Sequence, residues 1–153
     1  MHENRILIHK LKNFENINSN FLIITLMLFG SILLAISAKV QVPFWPVPMT
    51  MQTFVIFLIG MTYSVRLSFA TVAFYLFQGA IGLPVFAAGG GIAYLVGPTA
   101  GYLYGMLFAS IVISYLANLG FSKTYFKAAL SLLIGSVVIF SFGIIYLGYI
   151  IGF

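Results

Sequence analysis

The 153-residue chain contains no cysteine and no aspartate, and its only acidic residues are Glu3 and Glu15. Without cysteine there is neither a disulfide nor thiolate chemistry. Both glutamates precede the first long apolar run, so no later segment supplies the Asp/Glu relay of a proton-coupled pump. A hydrolase built on paired carboxylates and a carboxylate-held metal centre are excluded on the same ground. His2 and His9 also lie in the N-terminal segment, which leaves no intramembrane histidine relay. No metal or other cofactor is expected.

Charge of either sign is scarce, at 6% of residues, whereas 62% of the chain is hydrophobic and the mean hydropathy is +1.13. No soluble domain of this size hides so much apolar surface. The apolar runs are continuous, whereas a membrane β-barrel needs short alternating segments. The composition therefore predicts an all-α, polytopic membrane helix bundle. Five transmembrane helices are expected, at 21–38, 51–62, 67–81, 99–119 and 128 to about 149. Residues 1–20 read as a basic cytoplasmic tail and residues 21–153 as a single transmembrane domain. With the N-terminus inside, Arg5, Lys10, Lys12, Arg66, Lys123 and Lys127 fall on the cytoplasmic side and only Lys39 falls outside. That is the bias of the positive-inside rule.

What is abundant between helices three and four is glycine. Residues 82–102 hold Gly82, Gly89, Gly90, Gly91, Gly97 and Gly101, with Pro84 and Pro98 near either end. Pro84 requires the preceding helix to end near Gly82, and Pro98 suits the first turn of the next one. Irregular backbone at membrane depth survives only when it is buried in protein or lines a cavity. This loop is therefore expected to form part of a small-molecule site. A second stiff segment, residues 40–50, carries Pro43, Pro46 and Pro48, and the predicted topology puts it on the same outer face. Within it, Trp45 reads equally as an interfacial anchor or as the wall of a site for a flat ligand. Gln52 is an amide in an apolar run; it satisfies neighbouring backbone or reads a polar ligand. On helix one, Ser31, Ala35 and Ala38 share a face, which suits close packing within the chain or docking to a separate membrane subunit.

Three segments resemble a known family. Val47-Pro48-Met49-Thr50-Met51-Gln52-Thr53 is similar to its VPxTxQT segment. Gly79-Ala80-Ile81-Gly82-Leu83-Pro84-Val85-Phe86-Ala87 followed by Gly89-Gly90-Gly91 resembles its GxxGLPVFAxGGG segment, and Gly97-Pro98-Thr99-Ala100-Gly101-Tyr102 its GPTxGY segment. The family is BioY, the biotin-specific S component of energy-coupling factor (ECF) transporters. The resemblance implies a substrate-binding membrane subunit that captures biotin at the outer face of a bacterial or archaeal cell membrane. It also implies partnership with a coupling membrane subunit and two cytoplasmic ATPases, and no nucleic acid. The chain has no Gly-x-x-x-x-Gly-Lys-Ser/Thr loop, so hydrolysis would fall to those partners and the chain itself is not an enzyme. By resemblance, Ser31, Ala35 and Ala38 match the Ala-rich face that docks the coupling subunit.

Biotin has a polar fused-ring head, an apolar thioether and chain, and a carboxylate. Trp45, Phe86, Tyr94 and Tyr102 are expected to enclose the apolar part. Thr50, Gln52 and the backbone of Gly89, Gly90 and Gly91 are expected to meet polar atoms. The N–H groups at the start of helix four, around Thr99 and Gly101, would favour the carboxylate. Lys39 is a second carboxylate candidate or a solvated helix-end lysine. The family pattern has six helices against the five expected here, and the Asp and Lys of its last helix have no counterpart in residues 1–153. Two other readings stand beside this one: an S component for another vitamin, and a truncated, non-transporting membrane remnant.

Overall fold

The computed structural model describes residues 19–42 and 49–152. Residues 1–18 of the expected tail, and Trp45, lie outside the described residues. The described residues form five α-helices: α1 (Ser19–Lys39), α2 (Gln52–Thr62), α3 (Val65–Ala80), α4 (Ala100–Leu116) and α5 (Tyr125–Ile151). A single turn of 3₁₀ helix, Ile92–Val96, sits inside the glycine-rich loop, and a wide π turn, Ala117–Phe121, follows α4. Two short strands, β1 (Gln41–Val42) and β2 (Met49–Thr50), pair antiparallel with Gln41 opposite Thr50. This ribbon was not expected. The prolines rule out a helix, and the flanking residues pair instead.

Helix ends follow local chemistry. The Ser64 hydroxyl accepts the Leu67 N–H at 3.2 Å and starts α3 at Val65. The Thr124 hydroxyl accepts the Lys127 N–H at 3.3 Å and starts α5 at Tyr125, earlier than the polar run suggests. Gly82, at φ +106°, turns the chain out of α3 in a region closed to most residues. Pro98 is not in the first turn of α4: the Ala100 N–H still bonds back to Gly97 O at 3.1 Å, and the helix begins at Ala100.

Among the described residues, three stretches are long and apolar enough to cross a membrane: Asn20–Lys39, Ala100–Phe121 and Tyr125–Ile151. The 11 residues of α2 rise only about 16 Å, against a hydrocarbon core of about 30 Å. Central α4 packs on α2, α3 and most extensively on α5, while α1 packs on α2 and α3. Leu34, Ile56, Val72, Ile113 and Ile139 are fully buried where these helices meet. Bulky residues on the outer side of α5, such as Leu133, Val137 and Ile145, stay exposed, as suits a lipid-facing surface. Among the described residues, no buried side-chain N or O atom lacks a hydrogen-bond partner.

The small-residue stripe on α1 is largely covered by the chain's own helices. Ser31 is 1% exposed and Ala38 is 0% exposed within this chain, and only Ala35 is partly accessible. Beside them, Gly30 lies against the Thr71 side chain and the Tyr63 ring. The small residues let α1 approach its own neighbours closely.

Candidate ligand-binding site

A cavity of about 180 Å³ opens where α2, α4, α5 and the glycine-rich loop converge. It exceeds the ~150 Å³ of an engineered apolar cavity that takes up benzene, so a small ring system is within its scale. Met49 and Thr50 of β2 and Gln52 and Thr53 of α2 form one wall. Ala87 and Tyr94 come from the loop. Thr99 borders α4, which adds Tyr102, Leu103 and Met106. Opposite, α5 contributes Ile139 and Phe140. Among the described residues, the lining is hydroxyl, amide, thioether and hydrocarbon, with no charged side chain. That is the chemistry of a site for an uncharged polar head on an apolar body.

The loop is held over this space by its carbonyls. Tyr75 O–H donates to Val85 O at 2.8 Å, Lys39 Nζ to Phe86 O at 2.7 Å, and Gln41 Nε2 to Ala87 O at 2.9 Å. Farther along, Tyr104 O–H donates to Leu95 O at 2.7 Å and Tyr146 O–H to Val96 O at 3.2 Å. Gly91, at φ +102°, swings the chain so that its N–H reaches Gly79 O at 2.6 Å, which ties the loop to the end of α3. Lys39 is thus neither simply solvated nor turned into the cavity: its ammonium is a strut on the loop.

Of the eleven residues expected to bind ligand, Thr50, Gln52, Tyr94, Thr99 and Tyr102 line the cavity together. Phe86 does not; it is fully buried behind the wall, stacked on Tyr94 at 4.7 Å and edge-on to Tyr75 at 5.5 Å. An aromatic ring beside glycines reads as an exposed wall, but here Gly79 opens the space into which it plugs. Gly89, Gly90 and Gly91 shape the loop and stand outside the lining. Gly101 is also outside it; its missing side chain brings α4 against Phe142 and Tyr146 of α5. At the start of α4, the Ala100 N–H is already engaged by Gly97 O, so it is not free for a carboxylate. Trp45 lies outside the described residues.

Sequence reasoning assigned no site residue to α5. A signal existed: Gly135, Ile139 and Gly143 are spaced by four and share one face. Gly135 lies against Ile113, and Gly143 lies under the Tyr102 ring. That face carries Ile139 to the cavity. Leu103 and Met106 carried no distinguishing signal, because apolar residues in an apolar helix look alike.

Comparison with known proteins bears on this site. The BioY family matches residues 10–153. A protein of Rickettsia prowazekii named "Probable biotin transporter BioY" is 35% identical over 136 residues, covering 88% of this chain and 70% of the relative. The biotin transporter BioY of Thermotoga maritima is 37% identical over 118 residues, covering 76% of this chain and 69% of the relative. Among solved structures, the S-component for biotin from an ECF-type ABC transporter superposes with a TM-score of 0.76 at 26% identity, covering 86% of this chain and 74% of that one.

Proposed function

The chain belongs to the BioY family, and on that premise we propose that it is the biotin-binding membrane subunit of a vitamin uptake transporter. The family is one of transporter S components, not of enzymes, and the spanning helices make the chain a multi-pass membrane protein. The observation that carries the reading is the uncharged cavity of about 180 Å³ between Gln52, Tyr94 and Tyr102. It matches a fused-ring head that both donates and accepts hydrogen bonds and is joined to an apolar chain.

The reading includes an energy-coupling membrane partner and two ATPases of the ECF type, with residues 21–153 as the substrate-binding domain. Its support is the likeness to an S-component. It also places the N-terminus in the cytoplasm. Arg66 at the start of α3 and Lys123 and Lys127 around the α4–α5 turn lie toward one end of the bundle, and Lys39 closes the opposite end of α1. The cavity and the glycine-rich loop then face outward.

The purified chain in detergent is expected to bind labelled biotin saturably, with a parallel change in Trp45 fluorescence. A folded, monodisperse preparation that binds none overturns the proposal. A finer check uses Gly143, whose Cβ position is occupied by the Tyr102 ring. In Gly143→Ala the ring must shift toward the cavity. Overpacking of this kind costs about 1–3 kcal/mol, so biotin affinity is expected to fall roughly tenfold at about 1.4 kcal/mol per decade. An unchanged Kd would place the ligand away from Tyr102.

A further inference from the structure

Two polar groups on the cavity side are wired to one that never reaches it. Tyr75, on α3, is 1% exposed and stands behind the cavity wall. Its hydroxyl lies between two partners, Val85 O at 2.8 Å and the Gln52 side-chain amide. A carbonyl oxygen only accepts, so the single phenolic proton is committed to Val85. The Tyr75 oxygen can then only accept from Gln52, and the group facing it must be Nε2. On the other side, Thr50 Oγ1 accepts the Gln52 backbone N–H at 3.3 Å and donates to Gln52 Oε1 at 3.1 Å. Donor and acceptor roles therefore run in one direction, from Gln52 through Tyr75 to the loop carbonyl, and the Thr50 bond fixes the opposite end of the amide.

We propose that Tyr75 is a positioning residue that locks the orientation of the Gln52 amide, so that the cavity presents a fixed donor–acceptor pair to a ring carrying adjacent N–H and C=O groups. A carboxamide has two N–H donors and two acceptor positions. One of each is used by Tyr75 and Thr50. The remaining N–H and the remaining lone pair complement a cyclic urea or amide, and a flipped amide would present the reverse order. The identity of the ligand rests on the biotin reading above; the lock itself does not. The neighbouring contacts support its rigidity. The Tyr75 ring meets Phe86 edge-on at 85°, and Phe86 stacks on Tyr94, so the phenol is packed against a buried aromatic cluster.

Tyr75→Phe keeps the ring and deletes only the hydroxyl. The chain has three glutamines, Gln41, Gln52 and Gln78, so glutamine-selective ¹⁵N labelling isolates the Gln52 amide, with Gln52→Ala giving its assignment. In the ligand-free wild type, one Gln52 amide proton is expected to exchange slowly with solvent, and in Tyr75→Phe both are expected to exchange fast. Biotin affinity is expected to fall roughly tenfold in Tyr75→Phe, the scale of one buried hydrogen bond. No further loss is expected when Tyr75→Phe is added to Gln52→Ala. Preference for biotin over an analogue methylated on a ring nitrogen should shrink in parallel. A residue that merely fills the core would lower thermal stability and leave exchange and preference alone. Unchanged exchange in Tyr75→Phe, or the same affinity loss with and without Gln52, overturns the proposal. If the wild type binds no biotin while the exchange pattern holds, the biotin reading fails and the lock stands.

Discussion

Gly79→Val is expected to lower biotin affinity more than a hundredfold. A Cβ at residue 79 would fall inside the Phe86 ring, meeting three of its carbons. The ring has no escape, since Tyr75 stands at its edge and Tyr94 lies on its face. The loop must lift. Expelling a fully buried phenylalanine costs about 3–5 kcal/mol, which at about 1.4 kcal/mol per decade exceeds two powers of ten. The lifted loop also withdraws the carbonyls of Val85 and Phe86 from Tyr75 and Lys39. A compensating change sharpens the test. In Gly79→Val/Phe86→Ala the valine fills space that the ring has vacated, so the double variant is expected to melt at a higher temperature than Gly79→Val alone. Wild-type affinity in Gly79→Val, or purely additive melting shifts, would show that Phe86 is not seated on Gly79.

Gly105→Leu is expected to yield no monodisperse protein. A Cβ there would lie 2.9 Å from both Cα and O of Ile139. These are backbone atoms of α5 and do not yield as a side chain does, so the helices must part along the most extensive contact in the fold. The milder Gly105→Ala gives a test of sign. In an exposed helix interior, alanine is favoured over glycine by about 1 kcal/mol. Here the same change is expected to lower the melting temperature in detergent, because helix association within the membrane rests on close backbone approach. Leu133→Ala, on the exposed side of α5, is expected to leave it nearly unchanged. A stabilised Gly105→Ala would refute the close contact.

Much of the fold was readable because the signals were local. Apolar runs gave five helices, and glycine with proline gave the irregular loop between α3 and α4. The helix starts were misplaced by two or three residues because Ser64 and Thr124 act as caps in stretches that look like polar turns. The site was less legible, because burial depends on distant residues. Ser31 and Ala38 announced a close helix contact and not whose helix it was. Phe86 looked like a ligand wall until Gly79, seven positions earlier, supplied its socket. Gln52 stood out as an amide among apolar neighbours. Tyr75 did not, since a tyrosine in an apolar helix marks nothing until the carbonyl it holds is located.

The five side chains that moor the glycine-rich loop all grip main-chain carbonyls, and every residue type has one. The moorings are therefore blind to the loop's own side chains. Exposed positions such as Leu83 and Ala88 can be exchanged without loosening it. The mutational burden is displaced onto Lys39, Gln41, Tyr75, Tyr104 and Tyr146, as many as 50 positions from the carbonyl each one holds. Substitutions at such exposed loop positions can thus retune what the loop offers a ligand, while these moorings are inherited separately, through helices and a strand outside the loop.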